Sequence, residues 1–252
     1  MQTKLIIRNL SKSFGEARVI RSADLEVSNG EIVGLIGPNG AGKTTLLNAI
    51  CGTILIDGGT RLFGEVDLAR LSPHRIAQLG IGRLFQDVRL FPRATVLDNV
   101  LIGFRAQLGE HLWGALFAYS RVASNEERNV QAALQIFETL GIKLPPDAPA
   151  VTLSYGEQKL VALARLLALD AKLLLVDEVA AGLSASMRHN IAKLLRQLSE
   201  GNRGIILSEH DLTFVSETCT RVCILSEGRI LTTDSPKEIL KSGAIRRLLY
   251  GV

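Results

Sequence analysis

The stretch Gly37-Pro38-Asn39-Gly40-Ala41-Gly42-Lys43-Thr44 constrains this chain more than any other. It reads G-x-x-x-x-G-K-T, the P-loop pattern. Ile32-Val33-Gly34-Leu35-Ile36, just before it, is a short apolar run with β-branched residues and suits a buried strand. Thr45-Leu46-Leu47-Asn48-Ala49-Ile50, just after it, suits the first turns of a helix. Strand, glycine loop and helix in that order make an anion trap. Glycines let successive backbone N–H groups turn inward toward phosphate oxygens, and the helix adds the positive end of its dipole. Lys43 brings a full charge for β- and γ-phosphates, and the Thr44 hydroxyl is placed to ligate Mg²⁺.

With 252 residues, and roughly 150 per domain, the chain makes one large domain or a domain with an inserted lobe. Aromatic residues are only 5%, so the core is aliphatic. The net charge of +4 suits an anionic ligand or an anionic membrane surface. Lys and Arg are scattered with no long basic run, which argues against a nucleic-acid partner. Three cysteines, Cys51, Cys219 and Cys223, cannot all pair, and Cys219-x-x-x-Cys223 lacks a second ligand pair nearby. They read as small buried residues of a reducing compartment. No run of about 18 apolar residues exists to span a membrane. Met1 to Leu5 opens no signal-peptide core. The expected location is the cytoplasm, or a membrane surface where a partner holds the chain.

Along the chain, Lys4 to Asn9 predicts a first strand and Ser11 to Gly15 a loop. On that loop, the Phe14 ring either stacks on a nucleotide base or packs beneath its own loop. Val19-Ile20 and Ala23 to Val27 are strand-like, and Asn29-Gly30 is a turn. Arg61 to Gly64 is a strand and turn, His74 to Gln78 a short helix, and Ile81 to Phe85 a strand ending at Gln86. A Gln at the carboxyl end of a strand is either a ligand contact of an open α/β sheet or an ordinary exposed side chain.

From Asp87 to about Pro149 the pattern turns helical. A helix begins at Val96, and Glu110 to Tyr119 carries Leu112, Trp113, Leu116 and Phe117 on one apolar face. That face suits either docking to another protein or packing on the chain's own core. Asn125 to Leu140 predicts a second amphipathic helix, with Ser124 as N-cap, Glu127 three residues on, and Gly141 as its end. Pro145-Pro146 and Pro149 mark a linker. These boundaries place a helical lobe, 87–150, inside a core made of 1–86 and 151–252.

Leu153 to Gln158 predicts a turn opening a helix from Lys159 to Leu169. Leu173-Leu174-Leu175-Val176-Asp177-Glu178 is an aliphatic strand delivering two carboxylates, the Walker B pattern. Asp177 would then lie near the P-loop Mg²⁺, and Glu178 could orient or deprotonate a water. Ala185 to Leu198 predicts a helix and Gly204 to Ser208 a strand ending in Glu209-His210. Arg221 to Leu225 with Gly228 to Thr232 predicts a hairpin, and Lys237 to Tyr250 an amphipathic close.

P-loop, Gln86, Leu153-Ser154-Tyr155-Gly156-Glu157-Gln158, Asp177-Glu178 and His210 arrive in that order. Over essentially its whole length the chain resembles the ATP-binding-cassette ATPases, whose mark is a Leu-Ser-x-Gly-x-Gln signature shortly before Walker B. The resemblance implies a recombinase-type P-loop α/β core, an antiparallel β layer near the N-terminus and an inserted helical subdomain. It implies ATP and Mg²⁺ as cofactors. It assigns Phe14 to adenine stacking, and Gly37 to Thr44, with Thr45 following, to the phosphates. It assigns Thr44 and Gln86 to Mg²⁺ and the attacking water, Asp177 to Mg²⁺, Glu178 to catalysis and His210 to the γ-phosphate. Ser154 and Gly156, with Glu157 beside them, would meet the γ-phosphate of an opposite protomer.

His74, His111 and His189 match no motif and read as surface residues. The chain departs from the family pattern at Tyr155 in place of a signature Gly and at Val179 in place of a Pro. Ser184 stands where an Asp commonly ends the loop after Walker B. Tyr155 with Glu157, the Ala180 to Leu183 run and the long helical insert resemble the subfamily serving branched-chain amino acid uptake.

The function so implied is that of a nucleotide-binding subunit energising a membrane transporter from the cytoplasmic face. Its implied partners are a second cassette, identical or homologous, in a head-to-tail dimer, permease subunits and, indirectly, a solute-binding protein. Alternatives are the cassette of a lipid or lipopolysaccharide exporter and a soluble cassette acting on nucleic acid or ribosomes. The last class typically carries a coiled-coil insert or two cassettes, and this sequence has neither.

Overall fold

The computed structural model describes residues 4–104, 119–241 and 243. The expected face of Leu112, Trp113, Leu116 and Phe117, together with His111 and the end of the closing stretch toward Tyr250, lies outside the described residues. The chain divides into two compact units, one of Met1–Gln86 with Ala171–Val252 and one of Asp87–Asp170.

The first unit is built on strands β1 (Leu5–Phe14), β2 (Ala17–Val27), β3 (Ile32–Ile36), β4 (Gly58–Phe63), β5 (Val66–Asp67), β6 (Ile81–Leu84), β7 (Leu173–Asp177), β8 (Gly204–Ser208), β9 (Arg221–Ser226) and β10 (Arg229–Asp234). Their order is β5-β4-β1-β2-β10-β9-β3-β8-β7-β6. The neighbours β9, β3, β8, β7 and β6 run parallel. Every residue of β3, β7 and β8 is buried, as continuous apolar runs in a sheet covered on both faces require. By contrast, β2, β1, β4 and β5 pair antiparallel. Strand β10 lies between the two layers, antiparallel to β9 and, among the described residues, paired with β2 at Arg229 with Ser22, where the Arg21 and Ser22 N–H groups also donate to the Gly228 carbonyl. Helix α1 (Lys43–Ile50) lies between β3 and β4 in the chain, and α2 (Pro73–Leu79) precedes β6. Leu5, Ile7 and Leu10 of the antiparallel layer share one core with Leu46, Leu47 and Ile50 of α1 and Leu35 and Leu175 of the parallel strands.

The first strand runs further than expected. Ser11 to Phe14 stays in β1 and pairs with β2 up to Phe14 opposite Ala17, leaving a two-residue turn at Gly15 and Glu16. Asn9, at φ 49, absorbs an irregularity in the register, which local sequence reads as the strand's end. The Ser13 N–H and the Lys12 ammonium both bond to Asp57, at 2.6 and 2.9 Å, and anchor this outer half.

The second unit holds α3 (Val96–Leu101), α4 (Tyr119–Leu140), a 3-10 turn at Ala150–Thr152 and α5 (Tyr155–Ala168). Val96, Val100, Ala133, Phe137, Val161, Ala164 and Ala168 form its core. Because α5 supplies three of those residues, the unit extends to Asp170 rather than ending near 150. Helix α4 already includes Tyr119, so Ser124 sits inside it and is not its cap. A Ser-x-x-Glu pattern marks a start only where no helix already runs through it. Likewise Tyr155 to Gln158 is the first turn of α5 rather than a separate turn. Beyond β7 follow α6 (Ala185–Glu200), α7 (Leu212–Thr218) and, after the expected β9–β10 hairpin, α8 (Pro236–Lys241). No helix among the described residues is long and apolar enough to cross a membrane. The three cysteines are buried thiols, none of them in a disulfide.

Candidate functional site

The glycine loop joins β3 to α1. At Gly37 an added Cβ would lie 2.0 Å from the Leu225 carbonyl oxygen, so only glycine fits. Gly42 caps α1 with φ 102, a conformation that L side chains rarely adopt. Lys43 is the first residue of the helix and only 7% exposed. Its Nζ donates to the carbonyl oxygens of Gly37 and Pro38, at 2.7 and 3.1 Å. Burial pushes the ammonium's pKa down, opposed by the nearby Glu178 and Asp177 carboxylates. A desolvated cation inside a ring of backbone groups is poised for an anion. Thr44 is exposed and Thr45 half-buried beside it.

Strand β7 brings Asp177 to its last position and Glu178 just past its end. Glu178 adopts φ 48, so the chain turns sharply there. The Glu178 carboxylate is held at both oxygens: Oε2 accepts from Gln86 Nε2 at 2.8 Å, and Oε1 lies 3.1 Å from His210 Nε2. Asp177 is 1% exposed, and its Oδ2 pairs with Arg83 Nη2 at 3.1 Å. Asp177 Oδ1 is buried and has no hydrogen-bond partner. Phe14, Val19, Asn39 to Thr45, Glu178 and His210 wall one cleft of about 410 Å³. Phe14 is exposed there at the end of β1, not packed beneath its own turn.

Ser154, Gly156 and Glu157 belong to the second unit, at the start of α5. Ser154 caps the helix, and Glu157 Oε2 accepts in return from the Ser154 N–H at 2.8 Å and the Ser154 hydroxyl at 2.7 Å. Those bonds hold the Glu157 carboxyl below its ordinary range. Glu157 is thereby bound to its own helix cap. Tyr155 is half exposed, with the Lys159 ammonium 4.8 Å from its ring centre. His74 and His189 are exposed.

The sequence reading missed two residues. Glu209 is buried, and its Oε1 accepts from the Ala180 N–H at 2.8 Å, tying the loop after β7 to the end of β8. Arg83 is the buried partner of Asp177. The available signal was an ionisable residue beside a motif: Arg83 lies inside β6 three positions before Gln86, and Glu209 lies just past β8, next to His210.

Residues 20–181 match the ABC transporter family, and they include the glycine loop, the helix-capping signature and the β7 carboxylates. The chain belongs to this family. It is the ATP-binding subunit of an ABC transporter, an ATPase that powers transport. It is 32% identical over 251 residues to the high-affinity branched-chain amino acid transport ATP-binding protein LivG of Escherichia coli, covering 99% of this chain and 98% of LivG. It is also 32% identical over 247 residues to the lipopolysaccharide export system ATP-binding protein LptB of Escherichia coli, covering 98% and 97% of the two chains. Among solved structures, the ADP conformation of an ABC transporter cassette superposes with a TM-score of 0.82 at 29% identity over 98% of each chain. The ABC cassette fold thus accounts for both the parallel sheet and the antiparallel layer.

Proposed function

We propose that this subunit hydrolyses ATP in the cleft beneath the glycine loop and so drives a permease at the cytoplasmic face of a membrane. The observation that carries the reading is the meeting of Phe14, Lys43, Glu178 and His210 on one cleft. In this reading the loop N–H groups from Asn39 to Thr45 and the Lys43 ammonium bind the phosphates. Phe14 stacks on the adenine. Glu178 accepts a proton from water as the water oxygen attacks the γ-phosphorus and the bond to the bridging oxygen breaks, releasing ADP. Gln86 and His210 hold the carboxylate on either side.

The residues fit Mg²⁺. Asp177 Oδ1 is buried without a partner, and the exposed Thr44 hydroxyl offers an oxygen at the start of α1. Gln86 adds a carboxamide at the sheet's edge. Among the described residues no group of three or more His, Cys, Asp or Glu could hold a metal, so phosphate oxygens and water would complete the shell. The ion would supply charge neutralisation on the β- and γ-phosphates.

Phe14→Ala tests the stacking role. A base on an aromatic ring is worth about 1–3 kcal/mol, so the ATP Kd is expected to rise about five-fold or more. Binding of inorganic tripolyphosphate, which has no base, should stay unchanged. Equal losses for both ligands would remove Phe14 from this role.

The partner side of the reading is a second cassette docked head to tail, so that Ser154 and Gly156 of one chain reach the γ-phosphate on the other. The helix N-terminus capped by Ser154 is suited to an anion. Ser184 replaces an Asp by sequence, yet its hydroxyl accepts from the Met187 N–H at 3.3 Å and caps α6, a task either residue performs. The cargo proposed is a branched-chain amino acid or a related small solute, taken up through permeases and a binding protein. Tyr155 with Glu157 in the signature, and the likeness to LivG over 251 residues, favour it. Equal identity to LptB supports export of a lipid as the second reading. Deleting the gene in its native host and measuring labelled leucine uptake separates them. Lost uptake supports import, whereas normal uptake with an outer-membrane lipid defect supports export.

A further inference from the structure

Arg83 is a charged residue inside the sheet, on β6. Its side chain is only 5% exposed, and it faces Asp177, itself 1% exposed. The guanidinium makes three kinds of contact. Nη2 donates to Asp177 Oδ2 at 3.1 Å. Nη1 donates to the Asn48 side-chain oxygen on α1, with Cys51 Sγ at 3.6 Å. Its plane lies over Phe85, with Cζ 4.6 Å from the ring centre. Nε has no hydrogen-bond partner. One residue of β6 therefore joins the terminal carboxylate of β7 to the helix that follows the glycine loop.

That geometry has a directional result. A carboxylate with one oxygen fixed cannot rotate freely, so the second oxygen is aimed. In Asp177 the fixed oxygen is Oδ2, and Oδ1 is the buried oxygen without a partner. A planar guanidinium presents donors in a rigid fork, which suits this task better than a flexible ammonium does. A carboxylate taken out of water needs a partner of opposite charge in good geometry. The arrangement would be costly if its sole purpose were stability, because an apolar pair of the same volume does as well or better.

We propose that Arg83 is a positioning residue for the divalent cation. It fixes Asp177 through Oδ2, presents Oδ1 toward the cation's shell, and keeps that oxygen in register with α1, which carries Thr44. The proposal rests on the reading of Asp177 as the cation-associated acid given above. Arg83 itself touches neither the cation nor the nucleotide.

The test compares ATP binding with Mg²⁺ and with EDTA in wild type, Arg83→Gln, Arg83→Lys, Asn48→Ala and Asp177→Asn, using the purified full chain and calorimetry. The readout is the ratio of the two Kd values, which hydrolysis does not enter. A charged hydrogen bond lost from the Asp177 anchor should reduce the Mg²⁺ advantage about tenfold in Arg83→Gln. The EDTA Kd should stay within about twofold of wild type, since the phosphate contacts are untouched. Arg83→Lys should recover part of the advantage. Asn48→Ala leaves the ion pair and frees one side of the guanidinium, so a smaller loss is expected, and this variant decides the matter if Arg83→Gln fails to fold. Asp177→Asn separates the two levels of the argument. If it keeps the full Mg²⁺ advantage, the reading of Asp177 is wrong. If it loses the advantage while the Arg83 and Asn48 variants keep it, the reading stands and the role of Arg83 is overturned.

Discussion

Replacing Glu178 with Gln is expected to cut ATP hydrolysis by two to four orders of magnitude. A positioned general base contributes about 10²–10⁴-fold, and each tenfold is about 1.4 kcal/mol of barrier. Gln keeps the shape of Glu but not its charge, so it cannot take a proton from water. One amide oxygen can still accept from Gln86, and the amide nitrogen can still face His210, so the local geometry has no cause to collapse. ATP affinity should therefore be preserved, and two protomers should remain associated once nucleotide is bound. Single-turnover hydrolysis, calorimetric binding and size-exclusion chromatography with ATP check the three parts. Wild-type turnover in the variant would move the base to another residue.

Lys43→Ala is expected to fail one step earlier, at binding. The substitution removes a buried cation whose Nζ bridges Gly37 and Pro38. A charged hydrogen bond is worth about 1.5–3 kcal/mol, so the ATP Kd should rise about tenfold or more. The free protein should not lose stability in proportion. Burial lowers the Lys43 pKa, so folding disfavours its charged form at neutral pH, and alanine removes that cost. The expected pattern is an apo melting temperature near wild type and a lost upward shift on adding ATP. Unchanged ATP affinity would dissociate Lys43 from phosphate binding.

The two substitutions act on groups that local sequence made legible. Continuous apolar runs located β3, β7 and β8, because a fully buried strand has no polar face to interrupt its pattern. The glycine loop was readable because its backbone demands leave no other residue type at Gly37 and Gly42. Family resemblance added Ser154, His210 and Gln86, which periodicity alone would have left as ordinary polar residues. What stayed hidden depended on contacts far apart in the chain. Arg83 and Asp177 are 94 residues apart, and no local period reports such a pair. The Ser124 cap failed for the opposite reason, since a correct local pattern was overridden by a helix begun upstream. The second unit outran its expected end because burial of Val161, Ala164 and Ala168, not a proline-rich linker, sets where a core stops.

The slender join between the two β layers has a consequence for how ligand and fold support each other. Phe14 ends a strand of the antiparallel layer, and Asn39 to Thr45 follow a strand of the parallel one, yet they wall the same cleft. Among the described residues, the ladder between β2 and β10 holds one register pair, Arg229 with Ser22, beside the Arg21 and Ser22 N–H bonds to the Gly228 carbonyl. A nucleotide that touches ring and loop together acts as a rivet across the seam. By mass action, a ligand at 100 times its Kd adds about 2.7 kcal/mol to any opening that must release it. Excursions that peel β1 and β2 away from β10 fall in that class. Their amides should exchange with solvent about a hundredfold more slowly in the loaded cassette, making the N-terminal layer the part of the chain that senses whether the cleft is full.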